Sequence, residues 1–176
     1  DEQKVKVLAQ IIKENKNYDS IIVFTSTKSK VSNIVRSLGR NGLKAQGISS
    51  NLEQKEREEV LRGFRSKRIR ILVATDVMSR GIDIKEINMV VNYDVPHEPA
   101  DYVHRVGRTA RANTKGEAIT LVNQTDMFRM RRIEQLIESS LPKMQPPEEF
   151  GPGPQWQEGK PKGKGNNNFN KNKRRF

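Results

Sequence analysis

The sequence predicts an α/β domain built on a parallel sheet with helices on both faces. Two features predict it: short continuous apolar runs alternate with longer segments of helical periodicity, and each apolar run is followed by a polar turn. Runs such as Ile21-Ile22-Val23-Phe24 show no polar alternation, the mark of a strand covered on both faces. In such sheets ligands bind at the carboxyl ends of the strands, so the polar turns are where function is sought.

Residues 3–16 read as a helix, with Val5, Leu8, Ile11 and Ile12 at helical spacing, stopped at Asn15 to Asn17. The first strand is Ile21–Phe24, and Thr25 to Lys28 is its exit turn. Residues 29–41 form a second helix, with Val31, Ile34, Val35 and Leu38 inward and Asn41-Gly42 ending it. Ala45–Ile48 is a strand. Asn51 is a candidate cap for a helix over 53–66 that buries Val60, Leu61 and Phe64. Ile69–Ala74 is the third strand, and Thr75 to Asp83 form its exit. Met89–Tyr93 is the fourth strand, closed by Pro96 and Pro99. A helix starts near Ala100, Lys115-Gly116 turns the chain, and Ala118–Val122 is the fifth strand. Residues 126–140 form the last helix, with Met127, Met130, Ile133, Leu136 and Ile137 inward.

The pattern divides the chain into a domain over 1–141 and a low-complexity basic tail over 142–176. Pro146-Pro147 and Gly151-Pro152-Gly153-Pro154 break regular structure, and Gly, Asn, Lys and Arg dominate from residue 159, with Phe169 and Phe176 among them. A tail of that composition buries no core and is expected to be disordered. The start at Asp1, close before an apolar-periodic run, suggests a piece of a longer protein.

Formal net charge is +12. The tail holds eight Lys/Arg against three Glu, a net of +5, and the domain the remaining +7. Both parts therefore favour a polyanionic partner. In the tail, flexible cations with sparse aromatics suit single-stranded nucleic acid. There is no cysteine, and two histidines are too few for an ordinary zinc site, so no metal is assigned to this chain. No apolar run approaches the ~20 residues of a membrane span and no signal peptide is visible, so a cytoplasmic protein is expected.

The most informative segment is His104-Arg105-Val106-Gly107-Arg108-Thr109-Ala110-Arg111. If it is helical, His104, Arg108 and Arg111 share one face. Guanidinium groups are always charged and grip phosphate oxygens with a planar fork, so paired arginines suit charge that develops in phosphoryl transfer. A solvated basic helix face is the plain alternative for these residues alone. Placed with Thr25–Lys28 and Thr75–Asp83 along one rim, they gain a functional reading.

The order of these segments resembles the second RecA-like domain of DEAD-box RNA helicases over about residues 1–140. Val23 to Lys28 resembles motif IV of that family, and Gln54-Lys55-Glu56-Arg57 its Gln-x-x-Arg motif. Ala74 to Asp83 resembles motif V, and His104 to Arg111 motif VI. The Asn/Lys/Arg-rich tail is similar to those of bacterial RhlE-type members. Ser49-Ser50-Asn51 departs from the His-Gly-Asp-like run that often precedes the Gln-x-x-Arg motif, and Ser26 stands where a bulkier or amide residue is common.

The resemblance implies roles. Arg108 and Arg111 match arginine fingers that reach the γ-phosphate of ATP, and are the catalytic candidates. Asp83 matches a ribose contact supported by Arg80 and Gly81. His104 and Arg105 match residues that tie motif VI to its neighbours across a closed cleft, and His104 joins the nucleotide-binding set. Thr27, Gln54, Arg57 and Thr75 match positions near the RNA backbone. Asp76 suits a structural role holding motif V, and Tyr93 and Trp156 receive no role.

No Gly-x-x-x-x-Gly-Lys-Ser/Thr loop and no Asp-Glu-Ala-Asp occur in the sequence. ATP and Mg2+ are thus expected to be held mainly by an N-terminal RecA-like domain absent from this chain. The expected function is the C-terminal half of an ATP-dependent RNA helicase, inactive in isolation. The alternatives are a non-enzymatic RNA-binding module and a DNA helicase of the same superfamily.

Overall fold

The computed structural model describes residues 2–76, 87–109 and 116–156. Among the described residues five α-helices and five strands are α1 (Glu2–Glu14), β1 (Ile21–Phe24), α2 (Lys28–Arg40), β2 (Ala45–Ile48), α3 (Gln54–Arg65), β3 (Ile71–Ala74), β4 (Met89–Asn92), α4 (Pro99–Val106), β5 (Glu117–Thr120) and α5 (Met127–Leu136). The strands form one sheet in the order β2-β3-β1-β4-β5, and every pairing is parallel. Val23 of the central strand lies opposite Val73 on one side and Val91 on the other.

Strand position explains composition. β1, β3 and β4 lie inside the sheet and all their residues are buried. The edge strands β2 and β5 have polar and half-exposed residues. Alternate residues of the inner strands feed two cores. Ile21, Val23, Ile71, Val73, Met89 and Val91 pack against Leu8 and Ile12 of α1 and Val31, Ile34 and Leu38 of α2. Ile22, Phe24, Leu72, Ala74 and Val90 pack against Leu61 and Phe64 of α3 on the opposite face. Each fully buried aliphatic or Phe side chain stabilises by about 1.5–3 kcal/mol.

The helix ends follow local chemistry. Thr27 caps α2, its hydroxyl oxygen accepting from the Lys30 N–H at 3.3 Å. At the other end Gly42 takes φ +76, open to a residue without Cβ. Glu53 rather than Asn51 caps α3, through a capping box in which the Glu53 N–H donates to the Glu56 carboxylate at 3.0 Å. Pro99 opens α4, where its missing N–H has no helical partner to lose.

Beyond α5 the chain turns back on the domain. Trp156 and Leu141 pack on a third cluster formed by Val95, Tyr102, Met130 and Ile133. Lys143 pairs with Glu134 and lies 4.4 Å from the centre of the Trp156 ring, while Gln3 donates to the Phe150 carbonyl at 2.5 Å. Residues 142–156, assigned to the tail on composition, thus make side-chain contacts with α1, α4 and α5. No described helix is long and apolar enough to cross a membrane.

Candidate nucleotide and nucleic-acid site

β1 leads through α2 to one side of the sheet and β4 leads through α4 to the other, so the connections diverge at the carboxyl ends of these neighbours. That divergence is where open parallel sheets bind ligands. Asp94, two residues past β4, organises it. The Thr25 hydroxyl donates to Asp94 Oδ2 at 2.8 Å, and the Ser26 N–H and hydroxyl each donate to it at 2.9 Å. Lys30 Nζ lies 2.8 Å from Asp94 Oδ1. Burial pushes the Asp94 carboxyl up, but the Lys30 ammonium and the bonds from Ser26 and Thr25 outweigh it and hold the group well below the usual carboxylate range. Next to it, burial and the Asp94 charge push the Tyr93 phenol up to about 12.

Arg105 is the second anchor. It is 3% exposed, and its guanidinium is fully engaged within the domain. Nε and Nη2 donate to the two carboxylate oxygens of Asp76, each at 2.6 Å, a bidentate fork. Nη1 donates to Asn92 Oδ1 at 3.0 Å and to the Asp94 carbonyl at 2.9 Å. The guanidinium carbon stands 5.0 Å from the centre of the Phe24 ring. One side chain therefore joins the exits of β1, β3 and β4 to α4. Asp76 has the structural role its sequence position suggests, and the tie made by Arg105 runs inside this domain.

The arginine segment is not one helix. α4 stops at Val106, and Gly107 to Thr109 form a tight turn in which the Thr109 N–H donates to the Val106 carbonyl at 3.0 Å. Gly107 is a poor helix former. The buried Thr109 hydroxyl is drawn instead to the Ile87 carbonyl at 2.7 Å, just ahead of β4. A Cβ on Gly116 would stand 1.6 Å from Thr109 Oγ1, so only glycine lets these strands of chain approach so closely. A shared face for His104, Arg108 and Arg111 therefore does not come from continuous helix. Nor does the whole segment gather at the carboxyl rim: a helix that follows a parallel strand returns along it. Arg105 reaches the rim through its side chain, while Thr109 is fixed near the amino end of β4.

The other candidate residues divide. His104 is exposed and Arg108 half-buried. Thr27 is exposed at the exit of β1. Gln54 is exposed at the first turn of α3, its amide donating to Glu58 at 2.9 Å, and Arg57 is half-buried on the same helix. Thr75 follows β3 and is 9% exposed. Arg80, Gly81, Asp83 and Arg111 lie outside the described residues. The sequence reading missed Asp94, Asn92 and Lys30. A carboxylate directly after a buried strand and ahead of Pro96 is the signal that could have found Asp94.

Residues 3–113 match the family model described as the helicase conserved C-terminal domain. The chain belongs to this family. This helicase C-terminal domain is similar to the E. coli DEAD-box protein SrmB, whose crystal structure bound to RraA superposes with a TM-score of 0.75 at 34% identity, over 80% of this chain and 82% of that one. A structure of S. cerevisiae Dbp5 bound to RNA and ADP BeF3 superposes with a TM-score of 0.72 at 32% identity, over 78% of this chain and 37% of that one. The probable ATP-dependent RNA helicase MJ0669 of Methanocaldococcus jannaschii is 39% identical over 144 residues, 82% of this chain and 39% of the relative. The chain thus spans well under half the length of the curated relatives it matches. Its parallel sheet with helices on both faces is the RecA-like domain of DEAD-box helicases.

Proposed function

We propose that the chain is the C-terminal half of an ATP-dependent RNA helicase, which couples RNA-stimulated ATP hydrolysis to local opening of an RNA duplex. The observation that carries the reading is the Arg105 fork. It fixes α4 to the exits of three strands, three residues ahead of Arg108. A cation meant for a transition state must be held in place before the reaction, because its benefit comes from needing no reorganisation.

The residues present fit one half of a nucleotide site. They supply cations and polar groups, and among the described residues no group of three His, Asp or Glu is placed to hold a metal. ATP supplies the phosphoryl group, and its Mg2+ the neutralising charge, from a preceding RecA-like domain with its own phosphate loop. Arg108 and Arg111 offer their guanidinium groups to the γ-phosphate. His104, Arg80, Gly81 and Asp83 contribute to holding the nucleotide. Thr27, Gln54, Arg57 and Thr75 grip the RNA backbone without reading sequence. Closure of the two domains on both ligands completes the site. The tail beyond Trp156 adds attraction for single-stranded RNA, resembles the RhlE type, and the protein works in the cytoplasm.

The test is Arg108→Ala in the full-length protein. RNA-stimulated turnover should fall by about 10³-fold or more, the scale of an arginine finger, while RNA affinity stays within about threefold. Retained turnover refutes the role; loss of RNA binding alone favours a non-enzymatic RNA-binding module. Stimulation by DNA as strong as by RNA of the same sequence favours a DNA helicase. The chain by itself should hydrolyse ATP negligibly, with or without RNA.

A further inference from the structure

Past α5, residues 141–156 make a closed loop. It leaves the domain at Leu141 and returns at Trp156, and both residues pack on the cluster of Val95, Tyr102, Met130 and Ile133. A surface loop whose ends meet in this way is a compact unit with its own packing. Lys143 locks the ends together: it pairs with Glu134 of α5 and stands 4.4 Å from the centre of the Trp156 ring. The Leu141 N–H donates to the same Glu134 carboxylate at 2.8 Å. Farther along, the loop reaches α1, where Gln3 donates to the Phe150 carbonyl. Inside it, Gly153 lies so near Pro146 that a Cβ would stand 2.6 Å from the proline Cδ. Pro142, Pro146, Pro147, Pro152 and Pro154 restrict the open chain, so less entropy is lost on closing. The loop lies past residue 113, where the match to the helicase family ends.

What the loop covers bears on the arginine segment. α4 has eight residues and is held in two places. The Arg105 fork ties it to the strand exits. Tyr102 and Val106, one helical turn apart, join the cluster on which Trp156 packs. Val106 is the last residue of α4, and Arg108 comes two residues later. A short helix with one anchor can pivot about it. A second contact at its end removes that freedom, and a Trp ring supplies a large, stiff contact.

We propose that residues 141–156 form a clasp that sets the position of Arg108, with Trp156 as the positioning residue. The clasp acts through Tyr102 and Val106 of α4, without contacting ATP or RNA. This rests on the reading of Arg108 as an arginine finger. A guanidinium that stabilises a transition state is worth most when its carrier cannot shift. Displacement of such a group by about 1 Å can cost on the order of 10²-fold in rate.

The experiment measures RNA-stimulated ATP turnover of the full-length protein carrying Trp156→Ala, at a temperature where circular dichroism shows the variant folded. Its kcat should fall about tenfold, while the KM for ATP and the RNA affinity stay within about twofold. Trp156→Phe, which refills the cluster, should recover most of the loss. Gly153→Ala strains the loop without touching the cluster and should lower kcat by about threefold. If Trp156→Ala fails to fold, Gly153→Ala decides by the same criteria. Trp156→Ala added to Arg108→Ala should cost nothing further, since no arginine is left at 108 to position. A loop that only stabilises would lower the melting temperature and leave kcat of the folded protein unchanged, and that result overturns the clasp. A tenfold loss that persists in the Arg108→Ala background overturns it too, because Trp156 then acts on some other group. Retained turnover in Arg108→Ala alone refutes the arginine reading itself, and the clasp with it.

Discussion

Arg105→Ala is the sharpest perturbation of the anchor under the site. The side chain removed is 3% exposed and donates four hydrogen bonds. Its partners respond differently. Asp76 is 28% exposed on its side chain, so water can replace part of what it loses. Asn92 has no exposure and its Oδ1 is left without that donor, as is the Asp94 carbonyl. An unsatisfied buried acceptor costs about 1–3 kcal/mol, and breaking a buried ion pair from one side costs about 3–5 kcal/mol in all. With a urea slope of about 2 kcal/mol/M, the unfolding midpoint should fall by roughly 2 M.

The assay is urea denaturation of this chain followed by circular dichroism. Arg105→Lys sharpens it, because an ammonium keeps the charge but cannot span Asp76, Asn92 and the Asp94 carbonyl together. Its loss should be more than half that of alanine. A midpoint change below about 0.5 M for Arg105→Ala would refute the reasoning, since no arrangement with two stranded acceptors loses so little.

Three further substitutions test the packing around the site and its supports. Asp94→Asn should cost about 1.5–3 kcal/mol at neutral pH, the worth of hydrogen bonds to a charged group, and should loosen the turn at Thr25–Thr27. Because the folded carboxyl lies below its unfolded value near 3.9, its contribution is present in full above that value and lost as pH falls below it. The stability gap between the two proteins should therefore be flat from pH 7 to about 5 and close in stronger acid; a gap that closes between pH 7 and 5 contradicts the assignment. Gly116→Ala drives a Cβ to 1.6 Å from Thr109 Oγ1 and should lower the melting temperature by several degrees, about 1–3 kcal/mol of overpacking. Gly39→Ala, with nothing within 4 Å in the middle of α2's last turns, is the matched control and should raise it slightly.

Much of the architecture was legible because the inner strands carry unbroken apolar runs. Ile21–Phe24 and Ala45–Ile48 have the predicted limits, since their boundaries are set by polar turns on both sides. Where several residues could end an element the sequence reading went astray. Asn51 is a better isolated cap than Glu53, but the pairing of Glu53 with Glu56 decides the start of α3. The arginine segment looked helical throughout because nothing local reveals that Thr109 will bond to Ile87, 22 residues away. The family was legible from the motifs taken as a series. Their supports were not, because Asp94 and Asn92 act only through partners brought together by the sheet. Asp94 meets Thr25 across 69 positions, a contact that neither periodicity nor composition encodes.

Those supports also explain how a buried carboxylate can sit beneath a turn proposed to meet phosphate. Left alone, Asp94 would repel any phosphate brought to Thr27. Lys30 at 2.8 Å cancels its charge, and Lys28 adds a cation at the start of α2. The carboxylate then acts as a hydrogen-bond acceptor with little outward field: it orders Thr25 and Ser26 and leaves the turn neutral or positive toward solvent. Thr27 meets a similar double demand. Capping α2 uses only the accepting side of its hydroxyl, from Lys30 N–H at 3.3 Å. The Thr27 hydroxyl also lies 3.2 Å from the Ser29 hydroxyl; with Ser29 as the donor, Thr27 accepts twice and its own hydrogen can point to a phosphate oxygen, so one side chain can hold the helix start and face a phosphate at once. An alanine there removes both functions, whereas a serine keeps both, and for that reason the pair of substitutions separates a helix cap that merely stabilises from one that also touches RNA only when stability and RNA affinity are read side by side.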